Sequence, residues 1–328
     1  MRRWSWRGPA RMVALALLAV GLAGCGGTNA ASAKGTVSVA YAGALVNLME
    51  RRLGPAFSQA TGYGYEGRGA GAVALANEIR SKLIAPDVFI SASATAYKPL
   101  QGAANGDIVS WYITFAGDSM VIGYNPKSQY AARFAAAASG AEPWYQVLET
   151  PGLRLGRTDP KLDPKGVNTL YTLQLAEAYY HLPGLAAKII GPDENPAQIF
   201  PEEELVARLT AGQLDAGFFY LNEVKDAGIP YITLPKQINL SDPSLASAYA
   251  AATYTSASGT VQHGAPILFS VTIPATVKNE AGAVAFTRYL LGEQGQALLT
   301  SSGFLALPIT FTGDAAKVPA GLAQYARG

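Results

Sequence analysis

The 328-residue sequence contains one cysteine, Cys25, and two histidines, His181 and His263. A single cysteine cannot form a disulfide within the chain, and it leaves Cys/His zinc sites and Cys–His nucleophile chemistry unsupported. Each histidine, far from the other in sequence, reads as structural. No G-x-S-x-G, H-E-x-x-H or Walker sequence occurs. Lysine and arginine form no run or stripe, which removes the electrostatic footprint of a nucleic-acid binder. Charged residues are 15% of the chain and hydrophobic ones 49%, a globular balance and not a disordered one. These shortages leave a binder rather than an enzyme, with no cofactor and no resident metal expected.

A long hydrophobic run is also missing. The apolar stretch Met12–Leu22 has eleven residues, short of the ~20 that span a bilayer as a helix. Arg2, Arg3, Arg7 and Arg11 precede it and small residues end it, the pattern of a secretion signal over residues 1–24. Leu22-Ala-Gly-Cys25 resembles the bacterial lipobox, which implies lipidation of Cys25 and a flexible tether over residues 25–35. Arg2-Arg3 is a weak hint of twin-arginine export, so the route is left open. Removing the four arginines leaves 21 basic residues against 23 acidic ones, a net of −2 where the full chain carries +2. The chain is expected outside the cell membrane, anchored by lipid to the outer face of the cytoplasmic membrane.

Past the tether, about 290 residues suffice for two domains with their own cores. Thr36–Tyr41 alternates as a strand and ends at Ala42-Gly-Ala44, with helical spacing from Leu45 to Gln59. A short strand over Tyr63–Glu66 is expected to run into a glycine loop, Gly67–Gly71, followed by a helix from Ala72 to Leu83. Asp87–Ile90 reads as a third strand, ending in Ser91-Ala-Ser93. This β-α-β-α-β order predicts a parallel sheet whose ligand sites lie beyond the carboxyl ends of the strands. The small residues there are candidate anion cradles, although glycines also simply make tight turns. Gly62-Tyr-Gly-Tyr-Glu-Gly67 fits G-x-G-x-x-G, but the dinucleotide fingerprint needs a strand before its glycines, and here a helix precedes them.

Phe115–Tyr124 reads as one long apolar strand crossing into a second lobe, and Pro266–Pro274 as the strand that returns. Between them fall a helix near Tyr145, a strand at Leu153–Leu155, a loop from Gly156 to Pro164 and a helix over Val167–Tyr180. The helix Glu202–Ala211 and the strand Ala216–Tyr220 follow. C-terminal helices over Ala281–Leu291 and Gly295–Ser301 are expected to pad the first lobe. The prediction is an α/β two-lobe fold, with lobe I made of residues 36–118 and 268–328 and lobe II of 119–267. Two crossings make a hinge, and the cleft between lobes suits an engulfed ligand.

Several stretches together carry a resemblance: Ala42–Leu45, Asp87–Ala92, Phe115–Tyr124, the double D-P loop Gly156–Gly166, Leu173–Tyr180, Leu205–Tyr220, Tyr231–Pro235, Ile238–Leu240, Pro266–Pro274 and Tyr289–Gly295. In this order they resemble the tungstate/molybdate-binding solute receptors of ABC importers, a branch of the type II periplasmic-binding proteins. The resemblance implies reversible capture without catalysis, by a monomer that hands its oxyanion to a permease and ATPase. It implies a ligand set of Gly43, Ala44, Ser91, Ser93, Asp163, Glu202 and Tyr220, with Asp159 and Glu203 as fallbacks. Ala44 stands where the family usually has a serine, leaving only backbone N–H groups there. Glu202 also opens a helix, where an acid suits the dipole without any ligand. Other readings are the same fold holding sulfate, an organic anion or a neutral solute, and a lipoprotein enzyme or interaction module without a transporter.

Overall fold

The computed structural model describes residues 34–327, which lie in one compact unit of residues 31–328. The secretion signal, the lipobox and Cys25 lie outside the described residues. Among the described residues no helix is long and apolar enough to cross a membrane.

The strands are β1 (Thr36–Ala42), β2 (Gly64–Ala70), β3 (Val88–Ser91), β4 (Trp111–Gly117), β5 (Met120–Tyr124), β6 (Leu155–Gly156), β7 (Ala216–Tyr220), β8 (Tyr231–Thr233), β9 (Thr253–Thr255), β10 (Val261–His263), β11 (Leu268–Thr272) and β12 (Leu305–Gly313). A six-stranded sheet runs in the order β12-β4-β11-β3-β1-β2 and a four-stranded one in the order β6-β7-β5-β8. In the larger sheet β2 and β3 flank β1 in parallel, as the β-α-β-α-β order requires. The strands β11, β4 and β12 add an antiparallel half. This is the two-lobe α/β fold that the sequence implies.

The long strand expected over Phe115–Tyr124 is two strands in two sheets. The break falls at Asp118-Ser119, where Asp118 is fully buried and its Oδ1 accepts from the N–H groups of Ser119 (2.7 Å) and Leu221 (3.0 Å). A buried carboxylate binding its own neighbour's amide turns the chain out of one ladder and into the next. The return strand runs beside this crossing. Asp118 N–H donates to Ile267 (3.2 Å), Ile267 N–H to Leu240 (2.9 Å) and Met120 N–H to Asn239 (2.8 Å).

The glycine loop expected after β2 is also corrected, because Gly67 and Gly69 lie inside the strand, paired with Val39 and Tyr41 of β1. The glycines serve close packing. A Cβ at Gly67 would stand 2.3 Å from the Tyr65 hydroxyl and one at Gly69 2.6 Å from Val46 Cγ2. Gly62 caps the preceding helix, Gly54–Thr61, in the left-handed conformation, so no strand precedes the G-x-G-x-x-G sequence and its nucleotide reading falls.

The helices Glu280–Leu291 and Glu293–Ser301 pack where expected, with Phe286 edge-on to Phe57 at 5.1 Å between ring centres. The helix Pro164–Tyr180 is buried along most of its length. Its loop reaches the larger sheet's helices: the Leu162 carbonyl accepts from Ala74 N–H at 3.2 Å, near the start of the helix Ala72–Arg80. Arg52 makes a second bridge, pairing with Asp226 at 3.3 Å and donating to Ser302 Oγ at 2.7 Å.

Candidate ligand-binding site

Asp163 is the N-cap of the helix Pro164–Tyr180, with Pro164 at the first helical position. Its Oδ1 accepts from the Lys165 N–H at 2.9 Å. Its Oδ2 is buried and has no hydrogen-bond partner. Burial, offset by the Lys165 charge and the Lys165 N–H, raises its pKa from 3.8 to about 6.

Glu202 opens the helix Glu202–Thr210 and is 3% exposed, with both carboxylate oxygens unpartnered. Glu203 and Glu204 beside it are exposed, and Glu204 pairs with Arg208 at 2.6 Å. Serving a helix dipole does not require burial, so these two suffice for that role and Glu202 alone turns inward. Its carboxylate lies against Gly43, where a Cβ would come within 2.8 Å of Oε2. Burial and then the Asp163 charge hold the Glu202 carboxyl well above the usual carboxylate range.

Tyr220 ends β7 and is fully buried, its hydroxyl accepting from Asn168 Nδ2 at 3.0 Å. The charges of Asp163 and Glu202 add to burial in raising the Tyr220 pKa. Asp163, Glu202 and Tyr220, drawn from three separate elements, are therefore brought into one electrostatic cluster. Gly43 and Ala44, just after β1, line with Glu202 and Glu223 a pocket of about 290 Å³ that Asp163 and Tyr220 do not line.

The two serines are differently employed. The Ser91 hydroxyl donates to the Ser93 carbonyl (2.7 Å) and accepts from its N–H (3.1 Å), closing a turn. Ser93 Oγ accepts from Thr95 N–H at 3.3 Å and caps the short helix Ala94–Leu100. Ser93 faces a separate cleft of about 600 Å³, shared with Asn168. Asp159 accepts from Lys161 N–H at 2.8 Å in its own loop, and Glu203 stays at the surface.

The sequence reading missed four side chains. Lys165 is fully buried, with Nζ 2.7 Å from Glu223 Oε1 and 3.4 Å from Glu202 Oε1. Glu223 belongs to the helix Leu221–Ala227, and its Oε2 accepts from Tyr220 N–H at 2.8 Å. Asn222 Nδ2 donates to the Ala44 carbonyl at 2.8 Å, tying that helix to the turn after β1. Asn168 holds the Tyr220 hydroxyl from one turn beyond Lys165. The available signal was the residue between the second D-P and Gly166, and an acid three positions after Tyr220 that fits a capping box. Among the described residues no group of three or more His, Cys, Asp or Glu is placed to hold a metal ion. The three carboxylates instead face one ammonium.

The family described as bacterial extracellular solute-binding protein matches residues 37–305. The chain belongs to this family. The solute-binding protein is 36% identical over 270 residues to a putative ABC transporter molybdenum-binding protein of Haloferax volcanii, covering 82% of this chain and 81% of that one. It is 30% identical over 223 residues to the molybdate/tungstate-binding protein of Thermococcus kodakarensis, covering 61% and 62% of the two chains. Among solved structures, a periplasmic molybdate-binding protein of Azotobacter vinelandii superposes with a TM-score of 0.56 at 18% identity, over 83% of this chain and 99% of that one. At that identity the likeness speaks for the fold. The sequence resemblance to solute-binding receptors agrees with this membership, in a family of binding proteins and not enzymes.

Proposed function

We propose that this solute-binding protein captures tungstate or molybdate between two lobes and delivers it to an ABC importer. The observation that carries the reading is the pair of buried acids. Asp163 Oδ2 and both oxygens of Glu202 make no well-formed hydrogen bond, and the Thr158 hydroxyl and the Gly43 N–H offset only part of the burial of the two carboxylates. This is a costly arrangement unless the atoms serve a ligand. Two carboxylates repel a sulfate or phosphate held only by donors. A tungsten or molybdenum centre accepts carboxylate oxygens and expands toward six-coordination, in keeping with hard metals preferring oxygen. Gly43 and Ala44 would offer backbone N–H groups and Tyr220 its hydroxyl, while Ser91 and Ser93, engaged in the turn beyond β3, would take part only if that turn moved. The names of the curated relatives support the same ligand class.

A thermal-shift panel of tungstate, molybdate, sulfate and phosphate tests the reading. A true ligand at 100 times its Kd adds ~2.7 kcal/mol of stability. Stabilisation by sulfate or phosphate alone would reject it.

Lobe I, in this reading, is residues 36–118 and 268–328 and lobe II residues 119–267, supported by the paired crossings at Asp118-Ser119 and Ile267. Scattering is expected to give a smaller radius of gyration with saturating ligand than without it, and superimposable profiles would argue for a rigid site. The anchor is read at Cys25. Cys25→Ser is expected to move the protein from the membrane fraction to the soluble one, since a diacylated cysteine would be the attachment. Sedimentation of the serine variant with membranes would count against the anchor.

A further inference from the structure

We propose that Lys165 is a specificity-determining donor to the bound oxyanion, and that Glu223 is the brace that keeps its ammonium aimed at the site. The inference rests on the oxyanion reading above and adds to it a residue of the opposite charge.

Lys165 joins the two acids of that reading. Its backbone N–H holds Asp163 Oδ1 at 2.9 Å, and its side chain ends 3.4 Å from Glu202 Oε1. An ammonium has three donors, and among the described residues its one hydrogen bond is to Glu223 Oε1 at 2.7 Å. The Glu202 oxygen lies at ion-pair distance but receives no hydrogen bond. Donor capacity therefore remains on an ammonium that has the Glu202 carboxylate at 3.4 Å and the Asp163 carboxylate near enough to act on its charge.

The brace is stiff. Glu223 Oε2 is fixed by Tyr220 N–H at 2.8 Å, so the carboxylate cannot follow the lysine elsewhere. The Lys165 ammonium also sits 5.6 Å from the Tyr220 ring centre and 5.8 Å from that of Phe219. A side chain held from three directions presents a preorganised charge.

Electrostatics decides what this charge is for. Three carboxylates already surround it, and a dianion brings two more negative charges into a buried space. Backbone amides and a phenol offer dipoles, whereas Lys165 offers a full charge, worth more where the dielectric is low. A lysine that only neutralised Glu223 would be replaceable by removing both charges together. A lysine that donates to the oxyanion would not.

The test is calorimetric titration of tungstate into wild type, Glu223→Gln and the double variant Lys165→Met/Glu223→Gln. Glutamine still accepts from Tyr220 N–H, so the single change keeps the helix cap while freeing Lys165. It is expected to bind tungstate more weakly than wild type, because the ammonium loses the acceptor that aims it, even though one repelling charge is gone. The double variant has the same net charge as wild type and is expected to bind tungstate ~30-fold more weakly. A double variant within threefold of wild type would overturn the proposal, leaving the lysine as counter-charge alone. If the double variant does not melt cooperatively, the single variant decides, and unchanged or tighter binding overturns the proposal. Wild type that ignores both tungstate and molybdate defeats the oxyanion reading itself, a result separate from either of these.

Discussion

Asp163→Ala is expected to weaken tungstate or molybdate binding by about 100-fold or more, about 2.8 kcal/mol at ~1.4 kcal/mol per decade. Two effects are combined in that variant. Alanine removes the unpartnered Oδ2 that would meet the metal centre, and it also removes the N-cap of the helix Pro164–Tyr180, which costs ~1 kcal/mol of stability. Asp163→Asn separates them, because asparagine caps as well as aspartate but carries no charge. Its melting temperature at neutral pH is expected to rise above wild type, since the buried charge is gone and the cap is kept, while tungstate binding falls almost as far as in the alanine variant. Sulfate binding should be absent in all three proteins or slightly improved in the variants, since a repelling charge is gone. Calorimetry against the three anions measures this directly. A wild type that prefers sulfate, or a tungstate affinity indifferent to Asp163 and Glu202 alike, would remove the metal from the argument and make Ala44 the mark of another ligand.

The ligand-free protein is expected to gain stability on mild acidification. Asp163 has its pKa raised from 3.8 to about 6 by burial. A carboxyl that holds its proton more tightly when folded favours the folded state below the unfolded pKa, and this contribution is lost as pH rises through about 6. At 1.36 kcal/mol per unit the swing is on the order of 3 kcal/mol between pH 4 and pH 7. Glu202, also raised by burial and by Asp163, works in the same direction. Asp87 and Asp215, held low by backbone and side-chain donors, work oppositely but only at more acid pH. Lys165, Glu223 and Tyr220 face the same space, and the raised pKa of Lys165 keeps it charged throughout the window. Melting temperatures of ligand-free wild type and Asp163→Asn at pH 5.5 and 7.5 check the sign: wild type should rise on acidification and the variant should respond less. Tungstate affinity should move the other way, weakening below about pH 6, because a coordinating carboxylate must first release its proton.

Much of this site could be read from the chain because its pieces have local signatures. Asp163-Pro164 announces a helix start by its own chemistry, and the helix follows there. Val167 was the expected first residue only because apolar spacing begins later than the cap. The strand Ala216–Tyr220 fell where its apolar run ends. What escaped depends on distant partners. Nothing local reveals that Phe115–Tyr124 divides, except an aspartate in the middle of an apolar run whose partners, Leu221 and Ile267, are remote. The same holds for β12, which exists as a strand by pairing with β4 from Leu305↔Gly117 to Gly313↔Trp111. The glycines of β2 looked like a loop because most of the side chains that crowd them, Tyr41, Val46 and Glu50, come from elsewhere in the fold. Lys165 was passed over because a lone lysine near two prolines usually faces water, and only the burial of Glu202 and Glu223 explains its place.

Gly43 sets a tolerance on the whole arrangement. Glu202 reaches across from the helix Glu202–Thr210 to the turn after β1, and the space for a single methyl group there is already filled by its carboxylate. An alanine at this position would push on the Cβ, Cγ and Oε2 of Glu202, each already within 3.0 Å of the new methyl, and displace that side chain by a few tenths of an ångström. If Glu202 meets a metal centre, the reach of a carboxylate is short and steep with distance, so a displacement that small would matter. The absence of one side chain would then act as a spacer gauge for the solute.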